Sequence, residues 1–232
     1  MLLREAEALV AMAAEDGNPM AGTIDLGVLP TIGPFLLPRL IPALGRQFPQ
    51  LRLALREDKT GNLLDQLAEG RLDLVLMAFP YDTPGMETRM LFDDAYRFTT
   101  RKDDAPRPVK GKRFDLQAQI DERNLLLEHD HCLHSHALPA LQHAAEVGRV
   151  NFSSTSLHTL VAMVSEGMGA TFLPDLAITG GILKGTRVVV QPLGDAASAR
   201  TLGLCWRRNA ARRGARPSSS WAVSCTPGRR AT

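Results

Sequence analysis

The densest group of chemically active side chains lies between residues 129 and 143. Five of the six histidines of the 232-residue chain fall in this segment, together with Cys132. The segment follows a predicted strand and opens a predicted helix over 133–147, which places Cys132 near a helix N-terminus. Aligned peptide dipoles at that end stabilise an anion and lower the pKa of a thiol. The pattern therefore favours a reactive thiolate at Cys132.

Two histidines are placed to assist a thiolate at Cys132. His136 is four residues further along the chain and shares a face of the predicted helix, while His131 is adjacent in sequence. The alternative is a metal site, because Cys132, His136 and one of His129 or His131 are ligands that Zn²⁺ or copper accepts. The strong zinc spacings, such as HExxH, are absent from the sequence. A lone cysteine is also a common small core residue.

Two threonines occupy equivalent positions in successive β-α units. Thr31 and Thr60 each come just after a predicted strand and before a predicted helix, at the end of a sheet where ligands bind. A helix cap is the alternative for each of them. The acidic pairs Asp93-Asp94 and Asp103-Asp104 are interpreted as exposed turns. Phosphate-loop, dinucleotide-binding and serine-hydrolase motifs are absent from the sequence.

These side chains are positioned by alternating strands and helices. In the first third of the chain the apolar spacing predicts strands at 23–29, 51–57 and 72–79 and helices at 35–48 and 62–70. Short connections between such elements are typical of a parallel sheet. Two prolines, Pro38 and Pro42, fall inside the first helix and predict that it starts late or is kinked.

A second set of elements begins near Leu91. Its strands are predicted at 91–100, 124–128, 150–154, 170–174, 187–193 and 201–206, with helices at 133–147 and 156–166. The chain therefore divides into two α/β units, with hinges expected near residues 96 and 204. Ligands of such folds bind between the two units.

Composition narrows the class of protein. The chain is 44% hydrophobic and 22% charged, as in ordinary globular proteins. It lacks an apolar run long enough for a membrane span and the pattern of a signal peptide, and its three cysteines are too few for a disulfide framework. A soluble, cytoplasmic protein is expected. Seven arginines and no acidic side chain follow residue 206, and this basic tail is interpreted as disordered or aberrant.

Several segments together resemble a known family. They are GTIDLGVLPTIGPFLLPRLIPAL, FPQLRLALREDKTGNLLDQLAEGRLDLVL, LLLEHDHCLHSHAL and TSLHTLVAMVSEGMGATFLP. They are similar to the effector-binding domain of LysR-type transcriptional regulators, and in particular to the peroxide-sensing OxyR group. The similarity covers about residues 1–207.

The resemblance implies an α/β fold of two Rossmann-like subdomains joined by a hinge, like periplasmic binding proteins. The expected division is a linker-helix remnant, two regulatory subdomains and a basic tail, at 1–19, 20–96, 97–206 and 207–232. The family's helix-turn-helix domain would precede residue 1, so DNA binding is expected only through a domain that this chain lacks. A homodimer or homotetramer is expected.

The resemblance also assigns roles to individual residues. Cys132 corresponds to the thiol that hydrogen peroxide oxidises, and Thr31, Thr60, His131 and Arg207 correspond to the polar residues that hold the peroxide. The chain is then a redox switch of a transcription factor, without a cofactor or a catalytic residue. The runner-up is a domain of the same fold that binds a small organic effector or a metal ion. A thiol peroxidase with turnover is disfavoured because no resolving pair is present.

One position departs from the best-known members of this group. Where they carry a second, resolving cysteine, this sequence has Leu141. Cys205 and Arg207 alternate along a predicted strand and share one of its faces, so Cys205 is a candidate resolving thiol if Arg207 reaches the pocket. A mixed disulfide with a small thiol or a stable sulfenic acid is the alternative.

Overall fold

The computed structural model describes residues 22–105, 156–191 and 199–208. Seven strands in this part of the chain form one sheet. Their order across the sheet is 51–57, 22–28, 74–79, 199–207, 86–101 and 171–174, with 188–191 beside 86–101. Two groups of elements are built on this sheet, one on its amino-terminal strands and one on the far half of the strand at 86–101.

The first unit alternates strands and helices as the sequence predicts. Its elements are β1 (Gly22–Val28), α1 (Gly33–Gln47), β2 (Leu51–Glu57), α2 (Thr60–Ala68) and β3 (Leu74–Phe79). Strand β1 pairs in parallel with β2 on one side and with β3 on the other. The two helices cover opposite faces of the sheet. On one face Val28 contacts Gly33 at the start of α1. On the other face a Cβ atom at the adjacent position 27 would contact Leu63 of α2.

Helix α1 is continuous despite its internal prolines, so the expectation of a late start is wrong. It begins at Gly33, and Pro34, Pro38 and Pro42 all lie on its exposed side. Carbonyl groups that lack a donor because of these prolines can be hydrated there. The opposite side is apolar and buried, at Phe35, Leu36, Leu37, Leu40 and Leu44. Burial of each such side chain contributes roughly 1.5–3 kcal/mol, which offsets about 3 kcal/mol for each proline.

Two long strands connect the units. Strand β4 (Met86–Arg101) pairs antiparallel with β7 (Ala199–Arg207) along its first half and with β5 and β6 along its second half. Strand β7 also pairs antiparallel with β3 of the first unit. Residues 199–207 therefore complete the sheet of the first unit, whereas the sequence assigned residues up to 206 to the second subdomain.

The second unit packs on the far half of β4. Its described elements are α3 (Leu157–Ser165), β5 (Thr171–Pro174), α4 (Asp175–Thr179) and β6 (Val188–Gln191). The strands and α3 match the sequence prediction, while the short helix α4 was missed. The predicted elements at 124–128, 133–147 and 150–154 lie outside the described residues. None of the described helices has the length and apolar run that crossing a membrane requires.

The units contact each other through α1. Phe35 stacks on His158 of α3, with ring centroids 5.6 Å apart, and also lies against Gly180 after α4. Arg39 donates a hydrogen bond of 3.1 Å to the carbonyl oxygen of Thr179. Helix α1 therefore holds the second unit at the end where β1 and β2 terminate.

Gly203 of β7 lies tightly against β4, and its substitution tests this packing. A Cβ atom at position 203 would lie 2.5 Å from the Arg89 carbonyl oxygen and 2.9 Å from the Phe79 ring. We expect Gly203→Ala to lower the free energy of unfolding by roughly 1–3 kcal/mol, because backbone must move. Denaturant titration measures this change.

Gly45 is the matched control for that substitution. It lies inside α1 with nothing within 4 Å of an added Cβ. Gly45→Ala should raise the free energy of unfolding by about 0.5–1 kcal/mol, since alanine loses less backbone entropy in a helix. A Gly203→Ala protein as stable as the unchanged chain would contradict the β4–β7 packing.

Candidate functional site

Thr31 and Thr60 lie at matching places on one edge of the sheet. Val28 and Glu57 are partners in the β1–β2 register and end their strands, and each threonine comes three residues later. Both threonines are 1% exposed. Neither is the residue that caps the following helix, because those positions are Ile32 and Lys59. The structure therefore supports a buried polar edge at this end of the sheet.

The side chain of Arg200 reaches Thr31 from β7. Its Nη1 donates to the Thr31 hydroxyl oxygen at 2.8 Å, and its Nη2 donates to the Thr31 carbonyl oxygen at 3.1 Å. Arg200 is fully buried, and its guanidinium carbon lies 5.8 Å from the centre of the Tyr96 ring. A guanidinium stays protonated at every physiological pH. A permanent positive charge is thus fixed against the turn that carries Thr31.

Asp94 supplies the counter-charge. Its Oδ2 accepts hydrogen bonds from Nε and Nη2 of Arg200, at 3.1 and 2.9 Å. Its Oδ1 accepts one from the backbone N–H of Leu176, in α4, at 2.8 Å. The two charged residues are direct cross-strand partners of β4 and β7. Their side chains are 2% and 0% exposed, so the pair is sealed from bulk water.

This arrangement can orient a small polar ligand. A buried guanidinium and a threonine hydroxyl together offer hydrogen-bond donors to an oxygen atom or an anion. Low local dielectric strengthens such contacts. A thiolate that lies nearer to the Arg200 guanidinium than to the Asp94 carboxylate would be stabilised by the positive charge.

Arg207 occupies a different place from the one expected, and the prediction that it joins Thr31 and Thr60 is wrong. Its guanidinium donates to the carbonyl oxygens of Leu67 and Leu72, the latter at 2.6 Å, and lies 3.9 Å from a carboxylate oxygen of Asp73. These groups surround the beginning of β3, whereas the threonines follow the other ends of the parallel strands. Arg207 therefore secures the connection between α2 and β3.

Cys205 is likewise not directed at the polar edge. It shares a face of β7 with Arg207, as predicted, but this is the face that α2 covers. Cys205 pairs with Val75 of β3 and is fully buried in the core. Arg200 and Thr31 lie on the α1 side, and five residues of strand separate Cys205 from Arg200 by roughly 16 Å. The prediction that Cys205 faces the ligand cleft is therefore wrong.

Burial also makes the Cys205 thiol unreactive. Desolvation raises its pKa from 9.0 to about 11, because the thiolate is poorly solvated in the core. The thiolate is the nucleophilic form, so this sulfur is protonated at neutral pH.

The other predicted site residues lie outside the described part of the chain. They are Cys132, His131, His136 and Leu141, and His129 of the alternative metal site is among them too. Within residues 22–105, 156–191 and 199–208, no group of three or more His, Cys, Asp or Glu side chains is placed to hold a metal ion. The histidine-rich segment at 129–143 lies outside these ranges.

Sequence analysis missed the two charged residues of the site. Asp94 was interpreted as an exposed turn, yet it lies in β4 and is 3% exposed, while the neighbouring Asp93 is exposed. The alternation of side chains along the strand could have predicted the burial of Asp94. Tyr96 and Phe98 lie two and four residues later, on the same face of β4, and both are buried. Arg200 precedes buried Leu202 and Leu204 at the same interval.

The pKa of Cys205 leads to a pH-dependent prediction. Above about pH 9 the unfolded chain loses the thiol proton while the folded chain keeps it up to about pH 11, so stability should fall with rising pH in this window. Below pH 9 both states hold the proton and the contribution is constant. Denaturant titrations from pH 8 to 11 measure the slope, and Cys205→Ala should reduce it.

Alkylation provides the companion measurement. In the folded protein at pH 8, Cys205 should resist an alkylating reagent and should become modified only after denaturation. Labelling of native Cys205 as fast as in the unfolded chain would show that the thiol is neither buried nor of raised pKa.

Comparison with known proteins places this geometry in context. The family model of the LysR substrate binding domain matches residues 17–216. The chain is 36% identical over 207 residues to the DNA-binding transcriptional dual regulator OxyR of Escherichia coli, covering 89% of this chain and 67% of that protein. It is 33% identical over 210 residues to the HTH-type transcriptional regulator EstR of Acinetobacter baylyi, covering 90% and 68%.

Solved structures of the same group of proteins are similar to this chain in fold. The reduced regulatory domain of OxyR2 from Vibrio vulnificus is 39% identical, with a TM-score of 0.75 over 86% of this chain and 92% of that one. A reduced form of OxyR is 33% identical, with a TM-score of 0.70 over 83% and 89%. These similarities confirm the predicted α/β fold of the periplasmic-binding-protein type. The two relatives named above are transcriptional regulators, which agrees with the class of protein that the sequence predicts. The chain belongs to the LysR substrate-binding domain family.

Proposed function

We propose that this chain is a hydrogen peroxide sensor that controls transcription, with Cys132 as the oxidised thiol. One observation carries the proposal: the chain aligns over most of its length with OxyR regulatory domains while its polar edge holds a buried Arg200–Thr31 contact. Several relatives are named hydrogen peroxide-inducible genes activators, among them one from Dickeya chrysanthemi that is 34% identical over 213 residues.

The chemistry is a two-electron oxidation of sulfur. The Cys132 thiolate attacks one oxygen of hydrogen peroxide, the S–O bond forms and the O–O bond breaks. The product is a sulfenic acid, and the departing hydroxide takes up a proton to become water. In this proposal His131 or His136 supplies a proton, while Thr31, Thr60 and Arg200 orient the peroxide and stabilise negative charge.

Arg200 replaces Arg207 in this set of residues. Arg207 lies at the beginning of β3 and donates to backbone carbonyl groups there. Arg200 contacts Thr31 directly and is held rigidly by a buried partner. In this proposal Arg200, seven residues earlier in the chain, takes the role that the resemblance gave to Arg207.

In this proposal the sulfenic acid is not resolved by Cys205. Two cysteines form a disulfide only when their Cα atoms come within about 7 Å, and Cys205 lies in the core beneath α2 with no exposed surface. Its pKa is also raised by burial, which disfavours the thiolate that would attack the oxidised sulfur. We propose that oxidised Cys132 persists as a sulfenic acid or takes up a small thiol.

The sensor acts as a cytoplasmic homodimer in this proposal, and DNA is bound through a helix-turn-helix domain outside this chain. Two large apolar side chains support a self-contact at the edge of the first unit. Ile41 of α1 is 39% exposed and Leu55 of β2 is 44% exposed. Among the described strands β2 stands at the end of the sheet. A second copy that packs on α1 and β2 would cover both side chains.

Peroxide treatment tests the sensing role. After a few equivalents of hydrogen peroxide, intact-mass measurement and peptide mapping should show one added oxygen, or a small-thiol adduct when such a thiol is present, at Cys132. Cys132→Ser should remain unmodified. Cys205→Ser is the matched control and should be oxidised at Cys132 as the unchanged protein is. Unmodified Cys132, or a bound metal ion in the untreated protein, would contradict the sensing role.

The dimer surface is tested by sedimentation. Ile41→Asp places a charge in the proposed contact and should shift the protein towards monomer, by roughly tenfold or more in dissociation constant. Val190→Asp is the control, because Val190 is 40% exposed on β6 of the second unit. An equal shift for both variants would argue against the α1–β2 surface.

A further inference from the structure

Asp94 lies where the two units and the two connecting strands meet. It belongs to β4, its partner Arg200 belongs to β7, the N–H it accepts comes from α4 of the second unit, and Arg200 in turn holds Thr31 of the first. Both carboxylate oxygens have partners in the core. One buried carboxylate therefore binds groups from both sides of the hinge.

The direction of the Arg200 side chain depends on this carboxylate. Nε and Nη2 both point at one oxygen of Asp94, which turns the planar guanidinium so that Nη1 meets the Thr31 hydroxyl. An arginine side chain has several rotatable bonds, and a buried guanidinium without a counter-charge is strongly disfavoured. Without the Asp94 charge, the guanidinium is more stable when it turns towards water, where it is hydrated, and away from Thr31.

The same carboxylate fixes α4. The Leu176 N–H lies in the first turn of that helix, where backbone donors have no partner within the helix. Asp94 accepts from this N–H with Oδ1, whereas Arg200 donates to Oδ2. A change in the Thr31 turn that moves Arg200 therefore acts on the same carboxylate whose other oxygen holds α4.

We propose that Asp94 is the positioning residue of the sensing site: it fixes Arg200 against Thr31 and acts on peroxide chemistry only through Arg200. This inference rests on the proposed function. In this proposal the Asp94 oxygens stay bound to Arg200 and to the Leu176 N–H and make no direct contact with peroxide. The competing explanation is that Asp94 only stabilises the fold.

Three variants separate these explanations. They are Asp94→Asn, Arg200→Gln and the double variant, and the measurement is the second-order rate constant for oxidation of Cys132 by hydrogen peroxide. Each single substitution should lower this constant roughly tenfold to hundredfold, as when a hydrogen bond to a charged group is lost. The double variant should be no slower than Arg200→Gln alone, because the two residues act in series.

Two control variants separate the positioning of Arg200 by Asp94 from a general effect of Asp94 on the stability of the fold. Asp93→Asn removes the adjacent carboxylate, which is exposed and accepts a hydrogen bond from Thr201, and should leave the rate within about twofold. Val75→Ala creates a cavity on the α2 side of the sheet and destabilises the fold away from Thr31. If Asp94 acts by positioning Arg200, the rate constant for Cys132 oxidation should stay unchanged in Val75→Ala and fall in Asp94→Asn.

A second readout does not depend on peroxide. Exchange of the Arg200 Nε–H and of the Leu176 amide, followed by NMR, should speed up in Asp94→Asn and remain unchanged in Asp93→Asn. If the unchanged protein does not oxidise at Cys132, the proposed function fails and this readout still decides the positioning role. Effects that multiply in the double variant, equal loss in Val75→Ala, or unchanged Arg200 exchange in Asp94→Asn would overturn the proposal.

Discussion

The described structure depends on one buried ion pair between two adjacent strands. Removing a carboxylate and a guanidinium from water costs several kcal/mol for each ion, so the pair persists only if the protein replaces the lost hydration. Asp94 and Arg200 achieve this because they are direct cross-strand partners, and each has further hydrogen bonds to backbone or hydroxyl groups. Any other register between β4 and β7 would bury the two charges apart. The pair therefore selects the register along which both connecting strands run.

From this register the location of the site follows. Strand β4 continues into the second unit beyond Asp94, and β7 enters the first unit beyond Arg200, so the pair stands at the crossing point. The Thr31 turn approaches from one side and α4 approaches from the other. A relative movement of the units must stretch these hydrogen bonds or carry the whole pair with one unit. A ligand that contacts Thr31 or Arg200 thus has direct access to the part of the fold where the units are coupled.

The sequence predicts the local elements and the parallel sheet of the first unit, but not how strands far apart in the chain pair. Strands and helices of the first unit emerge from apolar spacing, and so does the equivalence of Thr31 and Thr60, because both depend on neighbours in the chain. The different roles of Arg200 and Arg207 cannot be predicted in this way, since both are arginines of one strand. Their surroundings depend on the antiparallel pairing of β7 with β3, which brings Arg207 to the beginning of β3. Direction and register between strands far apart in sequence are tertiary properties, and local spacing does not contain them.

The two faces of β7 also separate two kinds of chemistry. Side chains alternate along the strand, so Arg200 presents a cation on the α1 side while Cys205 places its sulfur in the core on the α2 side. A cation favours a thiolate, whereas desolvation opposes one, and the pKa of about 11 at Cys205 shows which effect acts there. The alternation of side chains along β7 therefore keeps the Cys205 thiol buried on one face of the sheet, while the Arg200 guanidinium, a charge that favours a thiolate, lies on the other.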